Sequence, residues 1–180
     1  MKKYKLHKNF INEKEINDLS TWIDTNVGLF SDAGMGGNRL TTRYSFSDEI
    51  VFPKTAFDIQ KKIIDKFNLK DSTFPHYKDG MVASCAYQGD TCYLHRDPRY
   101  EEGYKTVHYN ILLSSIVGGE PFVLKNPNSE ARKHIPVPEE NINVDIGDMW
   151  TYDISEVFHG SKLLKTKERK MWVFGFHIKK

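Results

Sequence analysis

His95 and Asp97, separated by Arg96, put an imidazole and a carboxylate on one side of an extended segment, because residues two apart in a strand project from the same face. A second imidazole follows far along the chain in Val157-Phe158-His159-Gly160, where the glycine lets another group approach closely. Two histidines and one aspartate on one side of a metal leave the opposite coordination positions open, the facial set suited to non-haem ferrous iron. Zinc accepts the same donors. A hydrolytic zinc site also needs a general base beside its water, however, and the helical His-Glu-X-X-His pattern is absent. Iron is therefore the metal expected at His95, Asp97 and His159. Each residue also has an ordinary structural role open to it, His95-Arg96-Asp97 as the start of a surface turn at Pro98 and His159 as a core polar group.

A dicarboxylate bound at such a metal needs a cation on a strand close to the second histidine. Glu168-Arg169-Lys170-Met171-Trp172-Val173-Phe174 supplies two. Either Arg169 or Lys170 would pair with a distal carboxylate, the arginine in a two-pronged way. Alone, the same residues read as a solvated hairpin tip shared with Lys165 and Lys167.

Positioning these side chains falls to two kinds of element. Between Asn12 and Val27, Ile16, Leu19, Ile23 and Val27 recur three and four apart behind an Asn12 cap with Glu13 and Glu15 in the first turn, which predicts a helix. Ile59, Ile63, Ile64 and Phe67 predict a second helix over Thr55–Phe67. After Gly80 come short β-branched and aromatic segments set off by Gly, Pro and Asn. They predict strands at Met81–Tyr87, Thr106–Leu113, Pro121–Leu124, Ile142–Val144, Met149–Tyr152 and Lys170–Ile178. The expected fold is mainly β with N-terminal helices packed on a jelly-roll core, a single domain over 1–180. Residues 1–80 would supply helical support and a lid loop, and 81–180 the core. The glycine-rich stretch 31–38 is a loop and not a phosphate cradle, since no Gly-Lys-Ser/Thr follows.

Composition narrows the field. Of 180 residues, 39% are hydrophobic and 28% charged, which excludes a disordered chain, and 13% aromatics favour strands over a helical bundle. A formal charge of +2 does not indicate a nucleic-acid partner. Two cysteines, Cys85 and Cys92, fit a reduced compartment, and neither a signal-like apolar run nor about 18 consecutive apolar residues occurs, so a cytoplasmic protein without a membrane span is expected.

About half the chain carries a family resemblance. Tyr87-Gln88-Gly89-Asp90-Thr91-Cys92-Tyr93-Leu94-His95-Arg96-Asp97, then Leu112-Leu113-Ser114 with Gly118-Gly119-Glu120-Pro121-Phe122, then Val144-Asp145-Ile146-Gly147-Asp148-Met149, and finally His159-Gly160 leading to Lys170 follow in the order of a known core. They resemble the double-stranded β-helix of the Fe(II)/2-oxoglutarate-dependent oxygenases, most nearly the prolyl 4-hydroxylase type. The resemblance implies iron at His95, Asp97 and His159, with 2-oxoglutarate and O2 as cosubstrates and hydroxylation of a C–H bond as the reaction. It implies Lys170, counted back from Phe176, or Arg169 on the C5 carboxylate of 2-oxoglutarate, and Tyr87 beside it. Leu112 stands where the family often has a tyrosine, and Asn110 and His108, on the same strand face, are the residues able to replace it. The carboxylate of Asp97 disfavours halogenation, for which the related enzymes carry Gly or Ala.

The substrate is a small molecule or a peptide, and the sequence admits a prolyl residue, a free amino acid or another metabolite. Arg39 and Arg43, with Tyr44, lie in a segment from Gly34 to Phe46 expected to form a lid and to grip a substrate carboxylate unless they are surface cations. Trp150 and Tyr152 alternate towards the pocket or the core, whereas Trp172 and Phe174 are core residues. Two other classes use the same strands: a cupin-like metalloprotein indifferent to 2-oxoglutarate, and a metal-free jelly-roll binding module.

Overall fold

Lys170, Trp172, Phe174, Phe176 and Ile178 occupy alternate positions of the C-terminal segment, and a strand so patterned must press its apolar face against a hydrophobic layer. The computed structural model describes residues 3–33, 37–43, 49–75, 77–97, 102–124 and 139–180. Its helices are α1 (Glu13–Asn26) and α2 (Lys54–Phe67). Its strands are β1 (Lys5–His7), β2 (Ser31–Asp32), β3 (Arg39–Thr41), β4 (Met81–Tyr87), β5 (Cys92–His95), β6 (Tyr104–Leu112), β7 (Pro121–Leu124), β8 (Glu139–Asn141), β9 (Met149–Asp153), β10 (His159–Ser161) and β11 (Glu168–Lys179).

Two sheets result, a seven-stranded one ordered β1-β9-β6-β11-β4-β3-β2 and a four-stranded one ordered β5-β10-β7-β8. Neighbours pair antiparallel throughout. From β4 onward the chain passes back and forth between the sheets, which is the winding of a double-stranded β-helix.

Both helices cover the outer face of the large sheet. The start of α1 is closed by a capping box: Asn12 Oδ1 accepts from the Glu15 N–H at 2.9 Å, and Glu15 Oε2 accepts from the Asn12 N–H at 2.8 Å. Such a cap contributes about 1 kcal/mol. The end of α2 is set by Asn68 in the left-handed conformation at φ 54°. Leu19 and Ile23 of α1 and Ile59 and Ile63 of α2 meet Trp172, Phe174 and Phe176 of β11 in one core, all seven with no solvent exposure. A smaller core between the sheets joins Leu112 and Trp150 to Val123, Ile142 and Val157. Among the described residues no helix is long and apolar enough to cross a membrane.

The expected helices and the jelly-roll core are present. The strand expected at Ile142–Val144 is not: the ladder ends at Asn141, and Ile142 anchors the small core instead while the chain runs into a turn closed by the Asp148 N–H on the Asp145 carbonyl. Residues before 81 also do more than support the core, since β1, β2 and β3 extend the large sheet at both edges. Arg39–Thr41, expected in a lid loop, pairs with Ala86–Ser84 as β3. Tyr44, with the rest of 44–48, and 34–36 lie outside the described residues.

The backbone of β10 runs tightly between its neighbours. A methyl group on Gly160 would sit 2.6 Å from the Cys92 carbonyl oxygen and 2.7 Å from the Phe122 ring. Gly160→Ala is therefore expected to destabilise the fold by about 1–3 kcal/mol, the usual cost of overpacking, and to loosen His159 beside it. Chemical unfolding together with metal titration checks both effects.

Candidate active site

The pairing of β10 with β5 sets His159 directly opposite His95, their ring centroids 4.4 Å apart. Beyond β5 the chain stays extended, held by the Asp97 N–H on the Ile154 carbonyl at 3.0 Å, and this brings Asp97 Oδ2 to 3.7 Å from His159 Nε2. One ligand atom from each of His95, Asp97 and His159 lies within 4.8 Å of the others. Atoms so close lie no more than roughly 2.8 Å from a shared centre, a small contraction away from the ~2.0–2.2 Å of nitrogen and oxygen ligation.

The imidazoles are already in the tautomer a metal requires. His95 Nδ1 donates to the Tyr93 carbonyl at 2.7 Å and His159 Nδ1 to the Val157 carbonyl at 2.9 Å. A carbonyl only accepts, so each Nδ1 carries the proton and each Nε2 keeps its lone pair for the centre of the cluster. Burial, with the neighbouring His95, pushes the His159 pKa down to about 4, so this ring is neutral at ordinary pH.

A cavity of about 150 Å³ opens over the three residues between the two sheets. Its floor is the inner face of β11, which presents Arg169, Met171 and Val173, and of β4, which presents Val82 and Ser84. Arg169 is 3% exposed; its Nη1 donates to the Gly119 carbonyl at 2.5 Å and its Nη2 to Asp90 Oδ2 at 3.3 Å. The same Asp90 oxygen accepts from Arg39 at 2.6 Å, so one buried carboxylate is clamped between two guanidiniums. Burial and the charge of Arg39 lower the Arg169 pKa to about 10. For Arg39 the cost of burial is outweighed by Asp90, and its pKa rises. Both arginines stay charged at neutral pH.

Most of the expected site residues converge here. Arg39, Arg43, His108, Asn110, Trp150 and Tyr152 line the cavity with the three metal-ligand candidates. Two of the cosubstrate expectations do not. Lys170 shares the outer face of β11 with Trp172 and Phe174, and its amine meets Asp24 of α1 at 2.6 Å and Glu168 at 3.2 Å. Tyr87 is likewise on the outer face of β4, packed against the helix-side core with Met81, Ala83 and Cys85. The cause is strand parity: the cavity sees Arg169, the other cation expected from the sequence, and on β4 it sees Ser84, while Lys170 and Tyr87 face the helices.

Asp90, Ser161 and Tyr77 were not assigned any role from sequence. Ser161 had a signal, being two residues beyond His159 on the same strand face. Asp90 had a weaker one as an acid in the turn leading into β5, and Tyr77, ahead of β4, had none. Arg169 Nε and Ser161 Oγ are buried without a hydrogen-bond partner among the described residues and both border the cavity, which makes them donors suited to an oxygen-rich anion.

No protein-family profile matches the chain, and no curated protein sequence matches it. Solved structures do. The viral collagen prolyl hydroxylase vCPH of Paramecium bursaria Chlorella virus-1, in its 2-oxoglutarate complex, superposes with a TM-score of 0.65 at 15% identity, covering 98% of this chain and 96% of that one. HygX of Streptomyces hygroscopicus, with nickel and 2-oxoglutarate bound, gives 0.70 at 12% identity over 97% and 82%. A Pseudomonas putida prolyl-4-hydroxylase gives 0.66 at 11% identity over 99% and 93%. The likeness is one of fold: the chain has the double-stranded β-helix of the 2-oxoglutarate-dependent oxygenases.

Two of the imidazoles, His108 and His159, tie stability to pH. His108 borders the cavity, and desolvation there, then Arg43, holds its pKa well below the usual value. Above about pH 6.5 His108 and His159 are neutral both folded and unfolded. Below it the unfolded chain takes up a proton that the folded ring refuses, so stability falls with pH until the folded pKa is reached, about 4 for His159. In the metal-free protein, His108→Gln is expected to remove one such proton and flatten the acid limb by up to ~1.4 kcal/mol per pH unit. Urea unfolding at steps from pH 7 to 4.5 measures the difference in slope.

Proposed function

We propose that the protein is an Fe(II)- and 2-oxoglutarate-dependent dioxygenase that hydroxylates a C–H bond of a small-molecule or peptide substrate. The observation that carries this is the presence in one cavity of a two-histidine, one-aspartate cluster and a buried arginine at its far end. His95, Asp97 and His159 would hold the ferrous ion. The bound iron and 2-oxoglutarate supply the oxidising chemistry, in which O2 converts the cosubstrate to succinate and CO2 while one oxygen atom enters the substrate.

The remaining work belongs to the chain. Arg169 holds the distal carboxylate of 2-oxoglutarate, with Ser161 as a second donor from the neighbouring sheet. Asp90 and Gly119 fix the guanidinium at the edge of the cavity, which spares the ordering cost when the anion arrives. Asn110, whose amide donates to the Trp150 carbonyl at 3.3 Å, lines the cavity. Val82, Met171 and Val173 make the floor apolar and keep bulk water from the reacting centre. Both vCPH and HygX were solved with 2-oxoglutarate bound, in keeping with this assignment.

Anaerobic addition of Fe(II) and 2-oxoglutarate is expected to produce the weak visible charge-transfer band of the chelate, and neither partner alone should give it. His159→Ala is expected to abolish the band. Arg169→Ala is expected to raise the 2-oxoglutarate concentration for half-saturation at least about tenfold, equivalent to ~1.4 kcal/mol, with iron retained. Lys170→Ala should leave that concentration unchanged and lower only stability. No band, and no succinate on admitting O2, would refute the assignment. Loss of cosubstrate affinity in Lys170→Ala alone would move the cation back to the outer face.

A further inference from the structure

The cavity continues past the metal cluster, on the side away from Arg169. On β11, Arg169 and Gly175 are separated by roughly 20 Å of extended chain. His108 of β6 registers with Gly175 on one side and with Tyr152 of β9 on the other, and the Tyr152 ring packs 4.8 Å from that of His159. His108 is thus one side chain removed from the cluster and far along the sheet from Arg169. The terminal oxygens of 2-oxoglutarate are as many bonds apart as the ends of two backbone residues, so the molecule spans roughly 7 Å. A cosubstrate stretched from the cluster to Arg169 therefore runs away from His108.

One ring nitrogen of His108 is engaged. The Tyr77 hydroxyl lies 2.7 Å from Nε2, and it reaches that place across Gly175, where a side-chain methyl would overlap it. This bond fixes how the ring is turned and which tautomer it holds. The other nitrogen, Nδ1, has no hydrogen-bond partner among the described residues, and the half-buried His108 lines the cavity.

The surroundings select a partner for Nδ1 by charge. Desolvation, then Arg43, keeps the ring neutral, and the same arginine repels an ammonium group. Arg43 already faces Asp97 at 3.9 Å, so that pair presents no net charge to an anion. A hydroxyl or an amide, by contrast, both donates and accepts, and so matches Nδ1 in either tautomer. A neutral group also loses least on leaving water.

We propose that His108 binds the primary substrate on the side of the metal cluster away from Arg169, its Nδ1 taking an uncharged hydrogen-bonding group, a hydroxyl or an amide. This rests on the dioxygenase assignment and adds a specificity-determining residue and the kind of group it reads. Tyr77 is a positioning residue that acts through His108.

The test is an anaerobic titration of the Fe(II)–2-oxoglutarate complex, read as a shift of the charge-transfer band. The probes are N-acetyl amino-acid amides, simple sugars and polyols, and free amino acids. At least one uncharged probe should bind, and the set it comes from tells amide from hydroxyl. His108→Leu should weaken that probe about tenfold, as loss of one hydrogen bond does, and leave the 2-oxoglutarate half-saturation within about twofold. His108→Asn, whose amide takes the place of Nδ1, should recover most of the loss. In the diamagnetic Zn(II)–2-oxoglutarate complex of histidine-labelled wild-type protein, the NMR signal of His108 Nδ1 should shift when the probe is added. Tyr77→Phe should change the His108 tautomer seen there and weaken the probe several-fold. A chelate that forms normally while no uncharged probe moves the band overturns the proposal alone. A wild-type Nδ1 signal indifferent to the probe does the same. Loss of 2-oxoglutarate affinity by about tenfold in His108→Leu also overturns it, by giving the ring to the cosubstrate. Failure of the wild-type chelate to form overturns the dioxygenase assignment and this subsite with it.

Discussion

The antiparallel pairing of β5 with β10 is the interaction on which the site depends. It places His95 and His159 opposite each other with a definite register, and the backbone carbonyls two residues before each ring fix both tautomers. A slip of one residue would turn one imidazole to the other face of the small sheet and dissolve the cluster. The register is held by close contact. Gly160 lies against the Cys92 carbonyl and the Phe122 ring, with no room for a side chain, and β7 closes the other side with His159 opposite Val123. The short central strand β10 thus does what a long element does elsewhere, because it is pinned on both edges, by β5 and by β7.

The large sheet solves a different problem, since it must be apolar on one face and chemically specific on the other. On β11, Lys170, Trp172, Phe174 and Phe176 face the helices while Arg169, Met171 and Val173 face the cavity. The helix-side core provides most of the apolar burial. At about 25 cal/mol per Å² removed from water, rings the size of Trp172 and Phe174 contribute several kcal/mol each, and this stability lets the opposite face carry buried charge. Even the outer face carries one cation: Lys170 runs its stem along the core and reaches Asp24 and Glu168 at the rim, as long basic side chains do.

That two-sidedness explains what could and could not be read from the sequence. The helices were legible because a 3.6-residue period, with an Asn12 cap at the start of α1, is local information, and β4, β7, β9 and β11 because their β-branched and aromatic runs are bounded by turn residues. The metal-ligand candidates were legible by spacing. The outward direction of Lys170 and Tyr87 was hidden for one reason. Both strands are buried on both faces, so hydrophobicity alone does not say which face looks at helices and which at the cavity. The clue lay in size: the alternating set with the bulkiest rings, Trp172, Phe174 and Phe176, fills the thick helix-side core, and Lys170 is in phase with it. β3 was hidden by the glycines before it, and Asp90 because its partners Arg39 and Arg169 are distant in sequence and meet only through the sheet.

Asp90 shows why the two ends of the cavity behave differently. A buried carboxylate between two arginines offsets the repulsion between them, and the geometry leaves Arg169 fixed but incompletely neutralised. Arg39 comes from the N-terminal part of the chain and Arg169 from the C-terminal strand, so the same ion cluster also ties the edge of the large sheet to its centre. At the other end Arg43 has Asp97 as its nearest carboxylate among the described ion pairs, at the long distance of 3.9 Å, and Asp97 is the residue whose charge a metal would claim.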